Sequence, residues 1–239
     1  GEISFIRSAC LLETWVHQEM INEDSSLKSF SFPINEEIQS HGFLDDYAFY
    51  VESILHLATV SELYLEDSSK KFIDKGITIL NLILAKFKDS LTSGFFFSDM
   101  TIEPPSPCRL KIWYDNAIPS GNSSMLRIFS LLNHLTNETN WKKEFDQISR
   151  GYSKIVKKMP EAISHALFAF SQSAIGIINL SFKNEMRDEL IKEFHKFPIR
   201  TFWLRTENEM TTNYKAQIGD NRKTWEFNDI KSLIDFLNK

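Results

Sequence analysis

Apolar residues recur at helical spacing over most of the chain. The spacing predicts a helix over 3–20, where Ile3, Ile6 and Cys10 share a stripe with the Leu11–Trp15 side. A polar, irregular stretch over 22–42 follows, interrupted by Pro33 and Gly42 and long for a connection without structure of its own. Residues 45–65 read as a helix with few charges in its middle, hence one buried on more than one side. Phe72, Ile73, Ile77, Leu80, Leu84 and Phe87 mark a second helix over 69–88, and the short EDSSK link makes the two an antiparallel hairpin. The design repeats over 120–136 and 140–158, joined at NET. Pro160 opens another helix over 160–172, at the position where proline costs least.

Two stretches break the helical period. Residues 90–121 hold Pro104, Pro105, Pro107, Pro119, Gly94 and Gly121, with GFFFSD (94–99) and RLKIW (109–113) as short extended pieces. Beyond 173, AIGIINL (174–180) reads as a buried strand, NEMRDELIKEFHKF (184–197) as a helix and IRTFWLR (199–205) as a second strand. YKAQIG (214–219) is a weak third strand and FNDIKSLIDFLN (227–238) a closing helix. Strand, helix, strand predicts a right-handed βαβ unit with a parallel pair. The expected fold is mainly α, with helical hairpins over 1–172 and a small α/β C-terminal subdomain over 173–239.

Composition narrows the function. The 239 residues include only 8 Gly and 7 Pro, too few turn-formers for a sandwich of short strands. With 42% hydrophobic residues and a net charge of −5, the chain is neither disordered nor a basic binder of nucleic acid. Cys10 and Cys108 fit no CxxC or zinc spacing, so reduced thiols and a cytoplasmic location are expected. No apolar run reaches the roughly 20 residues of a membrane span. Without HxH, HExxH, GxxxxGK[ST] or GxGxxG, neither a metal site nor a nucleotide cofactor is expected.

Two loops share one design: HGFLDDYAF (41–49) and YDNAIPSGNS (114–123) each place Gly, an aromatic and acidic residues just before the first helix of a hairpin. Hairpins stacked side by side present equivalent ends at one rim, so Asp45 and Asp46 are expected near Asp115 and Asn116. An aspartate at a helix start serves as a cap for the free backbone N–H groups. Carboxylates converging from two loops also suit glycoside chemistry, where paired acids do the proton transfer. The candidate acid/base groups are therefore Asp45, Asp46 and Asp115. His41, Tyr47, Tyr114, Asn116, Ser120 and Asn122 are the candidate ligand-binding or loop-fixing partners. Phe43, Phe49, Phe95, Phe96, Phe97 and Trp113 join Tyr47 and Tyr114 as aromatics that stack on a sugar ring or fill the core. His56, flanked by Leu55 and Leu57 in mid-helix, reads as a core or interface residue.

GFLDDYAF, then GFFFSD, then YDNAIPSGNS, in that order, resemble the C-terminal region of the YyaL-like, spermatogenesis-associated, thioredoxin-domain-containing proteins. That family has a loop of the type GFLEDYA, a GGFFD-like turn and a run of the type YDGAxPSGNS; Asn116 departs from the last. The resemblance covers about 40–205 and the strand–helix–strand tail. It implies an (α/α) toroid related to six-hairpin glycosidases and to N-acylglucosamine and cellobiose epimerases, preceded by a thioredoxin-like domain. A closed toroid needs about 300 residues or more. The chain, which begins at Gly1, is therefore expected to be the C-terminal part of a larger protein, an incomplete toroid. YKAQIGDNRKTWEF lacks the cysteine that often precedes the family's last helix.

Two functions follow as expectations. One is a carbohydrate-processing or carbohydrate-binding domain, glycosidase- or epimerase-like. The other is a non-catalytic scaffold working with the thioredoxin-like region. Apolar faces left by missing hairpins would also favour a homo-oligomer.

Overall fold

The computed structural model describes residues 2–30, 40–65, 68–102, 107–136, 138–198, 201–219 and 223–239. Pro33, Pro104, Pro105, Ile199, Arg200 and parts of the links EDSSK and NET lie outside the described residues. The chain is mostly helical, with a small mixed sheet at its C-terminal end. Helices α1 (Glu2–Glu19), α2 (Leu44–Tyr64), α3 (Ser69–Lys86), α4 (Gly121–Thr136), α5 (Thr139–Tyr152), α6 (Ile155–Lys158) and α7 (Ser164–Ile175) come first. Strand β1 (Ile178–Phe182), helix α8 (Arg187–Glu193), strands β2 (Phe202–Thr206), β3 (Tyr214–Ile218) and β4 (Thr224–Phe227), and helix α9 (Ile230–Leu237) follow.

Contacts fix how the helices run. Ser69, at the start of α3, donates to Glu62 near the end of α2 at 2.7 Å, while the Tyr47 ring meets Phe87 at 5.2 Å. These two helices are thus antiparallel. So are α4 and α5, because Ser123 meets Tyr152 at 3.0 Å and Phe129 stacks on Trp141 at 6.3 Å. α2 and α4 form the middle of the array. Val51, Ile54, Leu55, Ala58, Met125, Leu126, Ile128 and Phe129 are wholly enclosed. Each such large side chain contributes about 1.5–3 kcal/mol relative to exposure, which explains why the middle of α2 carries so few charges.

Corrections to the predicted elements have local causes. The helix expected over 140–158 is two pieces, α5 and α6, separated at Ser153 and Lys154. The helix expected from Pro160 opens as a 3-10 turn, Pro160–Ile163, before α7. α7 then runs on to Ile175 and ends at Gly176, whose φ of +82° is open to glycine. β1 therefore starts at Ile178 rather than at Ala174. The extended pieces near 95 and 110 meet where Phe97 N donates to Leu110 O at 2.7 Å.

In the sheet, order β2-β1-β3-β4, β1 and β2 are the expected parallel pair, with Leu180 opposite Leu204. β1 and β3 are antiparallel, with Leu180 opposite Ala216. β4, not predicted, completes the edge as the antiparallel partner of β3. A second core gathers Leu180, Phe182, Leu204, Tyr214 and Leu233. Leu63 of α2 belongs to it, and Arg187 donates to the carbonyls of Glu62 and Leu63, both at 2.7 Å. A cation on those last carbonyls complements the helix C-terminus.

Candidate functional site

The two loops meet. Asp45, in the first turn of α2, accepts from the backbone N of Gly121, the first residue of α4, at 2.8 Å. The approach is close enough that a Cβ at position 121 would push the Asp45 carboxylate out of place. Burial pushes the Asp45 carboxyl above its ordinary range; the Gly121 N–H opposes this, and Asp46 adds to it. Asp46 Oδ2 accepts from Phe43 N and from Ser29 Oγ, each at 2.8 Å. That is half of a capping box, as Phe43 has no side-chain acceptor. Asp115 accepts from Ser120 N at 2.9 Å and from His165 N, in the first turn of α7, at 2.8 Å.

Among the other candidates, three are enclosed. Tyr47 Oη accepts from Leu27 N at 2.8 Å, and burial raises its hydroxyl pKa. Ser120 Oγ caps α4 by accepting from Ser123 N at 3.1 Å. Asn122 accepts from Phe95 N at 2.8 Å and donates to Phe95 O at 2.9 Å and Ile112 O at 3.0 Å, tying both extended pieces to α4. His41, Tyr114 and Asn116 are exposed. The loop aromatics pack largely on their own surroundings: Phe43 stacks on Phe97 at 4.7 Å, Arg109 covers Phe96, and Phe95 is buried.

Sequence reasoning missed a second constellation. Glu52, mid-way along α2 and 8% exposed, sits against cationic or titratable side chains from three helices. Arg127 of α4 is 2.9 Å from Oε1, His165 Nε2 of α7 is 3.1 Å from both oxygens, and His56 Nε2 is 3.8 Å from Oε1. Burial opposes the charge on Glu52, yet His165, His56 and Arg127 outweigh it and hold the carboxyl far below its usual range. Arg127 also lies over the Phe168 ring, 4.5 Å from its centre. Only the Glu52–His56 pair is local, four residues apart on α2; no local motif announces the rest, because Arg127 and His165 come from other helices.

Two cavities flank it. An open cleft of about 550 Å³ is lined by Asn116, Ala117, Ile118, Pro119, Arg127, Ser164, His165 and Phe168. Asp115 bonds to one wall residue, through His165 N, and to Ser120 N next to Pro119. The other, about 770 Å³, runs between α1 and α2; mainly apolar, it includes Asp46 and His56 in its wall. Among the described residues, no group of three or more His, Cys, Asp or Glu is arranged to hold a metal ion, and no helix is long and apolar enough to cross a membrane.

The chain shares sequence with curated proteins over about half its length. It is 28% identical over 130 residues to spermatogenesis-associated protein 20 of Rattus norvegicus, covering 54% of this chain and 16% of that protein. The protein of the same name from Homo sapiens is 27% identical over 130 residues, again 54% and 16%. An uncharacterized protein of Caenorhabditis elegans is 25% identical over 163 residues, 66% of this chain and 20% of its own. The matched segments thus span no more than a fifth of these relatives. No family model matches the chain.

Proposed function

We propose that this chain is the C-terminal, ligand-binding part of a larger protein similar to spermatogenesis-associated protein 20, and that it binds a carbohydrate. Its hairpins form part of an (α/α) toroid, with the site at the rim. The observation that carries this reading is the cleft beside the 116–119 loop. A few polar groups (Asn116, Arg127, Ser164 and His165) line it together with Phe168, the usual make-up of a small-molecule site. Asp45, Asp46 and Asp115 act here as positioning carboxylates, since each accepts from backbone N–H groups that set the loops. Asn116 and Tyr114 are the exposed loop groups suited to meet sugar hydroxyls.

The test is hydrogen exchange and NMR titration against a panel of mono- and disaccharides. Protection and shifts at 114–120 and 164–168 are expected; a panel without any effect there overturns the reading.

A second reading, a scaffold for a thioredoxin-like region, is favoured by a different observation. α1 exposes Phe5, Leu11, Leu12 and Trp15, which are 76%, 72%, 61% and 50% accessible. In that case a purified thioredoxin-like domain slows exchange along α1, and sugars leave the cleft unchanged.

A further inference from the structure

The cleft contains an arrangement that goes beyond binding. We infer that His165 is an acid–base group facing the cleft, held in one tautomer by the buried Glu52, and that it moves a proton at the hemiacetal of a reducing sugar. This rests on the carbohydrate reading for its substrate class and on the cluster for its chemistry.

An ionised carboxylate can only accept hydrogen bonds. Glu52 receives Arg127 at 2.9 Å and has His165 Nε2 3.1 Å from both its oxygens. The neutral imidazole must then carry its proton on Nε2, which leaves the Nδ1 lone pair as the base. His165 is a wall residue of the cleft, whereas Glu52 is not, so the carboxylate stands behind the imidazole. A hydrogen-bonded acid behind a histidine orients the ring and stabilises the imidazolium formed on proton uptake. Arg127 fixes Glu52 from α4, and Asp115 fixes the backbone of His165 through its N–H. The imidazole thus has both its ring orientation and its main-chain position set. The charged or titratable groups around it are Glu52 and His56 from α2, Arg127 from α4 and Asp115 from the loop.

The step balances without a co-reactant. His165 Nδ1 takes the proton of the anomeric hydroxyl, the C1–O5 bond breaks as the C1 carbonyl forms, and the ring oxygen is protonated from the imidazolium or from water. Closure on the opposite face reverses each transfer and gives the other anomer. Such positioned acid–base groups are worth about 10²–10⁴-fold in rate.

The experiment follows anomer exchange by NMR for glucose, galactose, N-acetylglucosamine and N-acetylmannosamine with the full chain. At least one sugar is expected to interconvert faster with the protein. His165→Gln, whose amide can keep the bond to Glu52, should lose about a hundredfold of that acceleration. Line shifts in the same samples give the fraction of sugar bound, and the loss in His165→Gln is expected per bound sugar. If sugars bind but exchange no faster, or if His165→Gln retains the rate, the acid–base role is overturned while the carbohydrate reading stands. If no sugar binds, both fall. Glu52→Gln serves as the second variant: a folded protein with reduced exchange and intact binding supports Glu52 as the positioning group, and an unchanged rate overturns that role.

Discussion

The acids at the rim and the acid inside α2 are both carboxylates on the same helical array, but they face different partners. Asp45, Asp46 and Asp115 accept from backbone N–H groups. Glu52 faces Arg127, His165 and His56, all side chains. A carboxylate on backbone amides builds a loop; a carboxylate behind an imidazole sets the ring's proton. Their pH behaviour differs as well, because burial raises the Asp45 carboxyl whereas His165, His56 and Arg127 lower that of Glu52 against burial.

The contrast breaks most visibly if Glu52 proves dispensable. Glu52→Ala leaves the half-buried Arg127 without its partner and should cost about 3 kcal/mol in urea denaturation. Loop-building residues should cost less, one by one. Asn122→Ala abandons Phe95 N, Phe95 O and Ile112 O, with an expected loss of about 2–4 kcal/mol and looser 94–113 segments by hydrogen exchange.

Acid titration sharpens the comparison through opposite signs. The folded Glu52 pKa is depressed, so its contribution is present above the ordinary value of 4.5 and fades as pH falls below it. The folded Asp45 pKa is raised, so its contribution is complete below 3.8 and is lost as pH rises through the folded value. Melting curves from pH 7 to 3 should show Glu52→Gln losing less stability on acidification than the parent. Asp45→Asn, which keeps an acceptor for Gly121 N and removes a part-buried charge, should be the mildest change. It is expected within about 0.5 kcal/mol of the parent at pH 7. A loss near that of Glu52→Ala would erase the distinction between the two kinds of acid.

What the sequence showed and what it hid follow from the same distinction. Helices α2 and α3 were legible because their stripes are local, and the meeting of the two loops followed from the repetition of hairpins. β4 was missed because Trp225 and Phe227 offer too short an alternation, and the start of β1 was misplaced because Ile175 continues a helix until Gly176 ends it. The rim aspartates stood out because capping residues sit beside the turns they fix. Glu52, Arg127 and His165 did not, since each lies inside its own helix and only tertiary packing joins them. His56 read as a core or interface residue; it stands one helical turn from Glu52 on α2, and only the arrival of Arg127 and His165 makes that pair part of a cluster.

The central claim, that Glu52 sets the proton on His165, is tested most directly by nitrogen-15 NMR of the histidine rings at a pH where His165 is neutral. The account predicts the Nε2–H tautomer for His165 in the parent protein and a redistribution toward both tautomers in folded Glu52→Gln. Mixed tautomers in the parent, or the same single tautomer in both proteins, would contradict it.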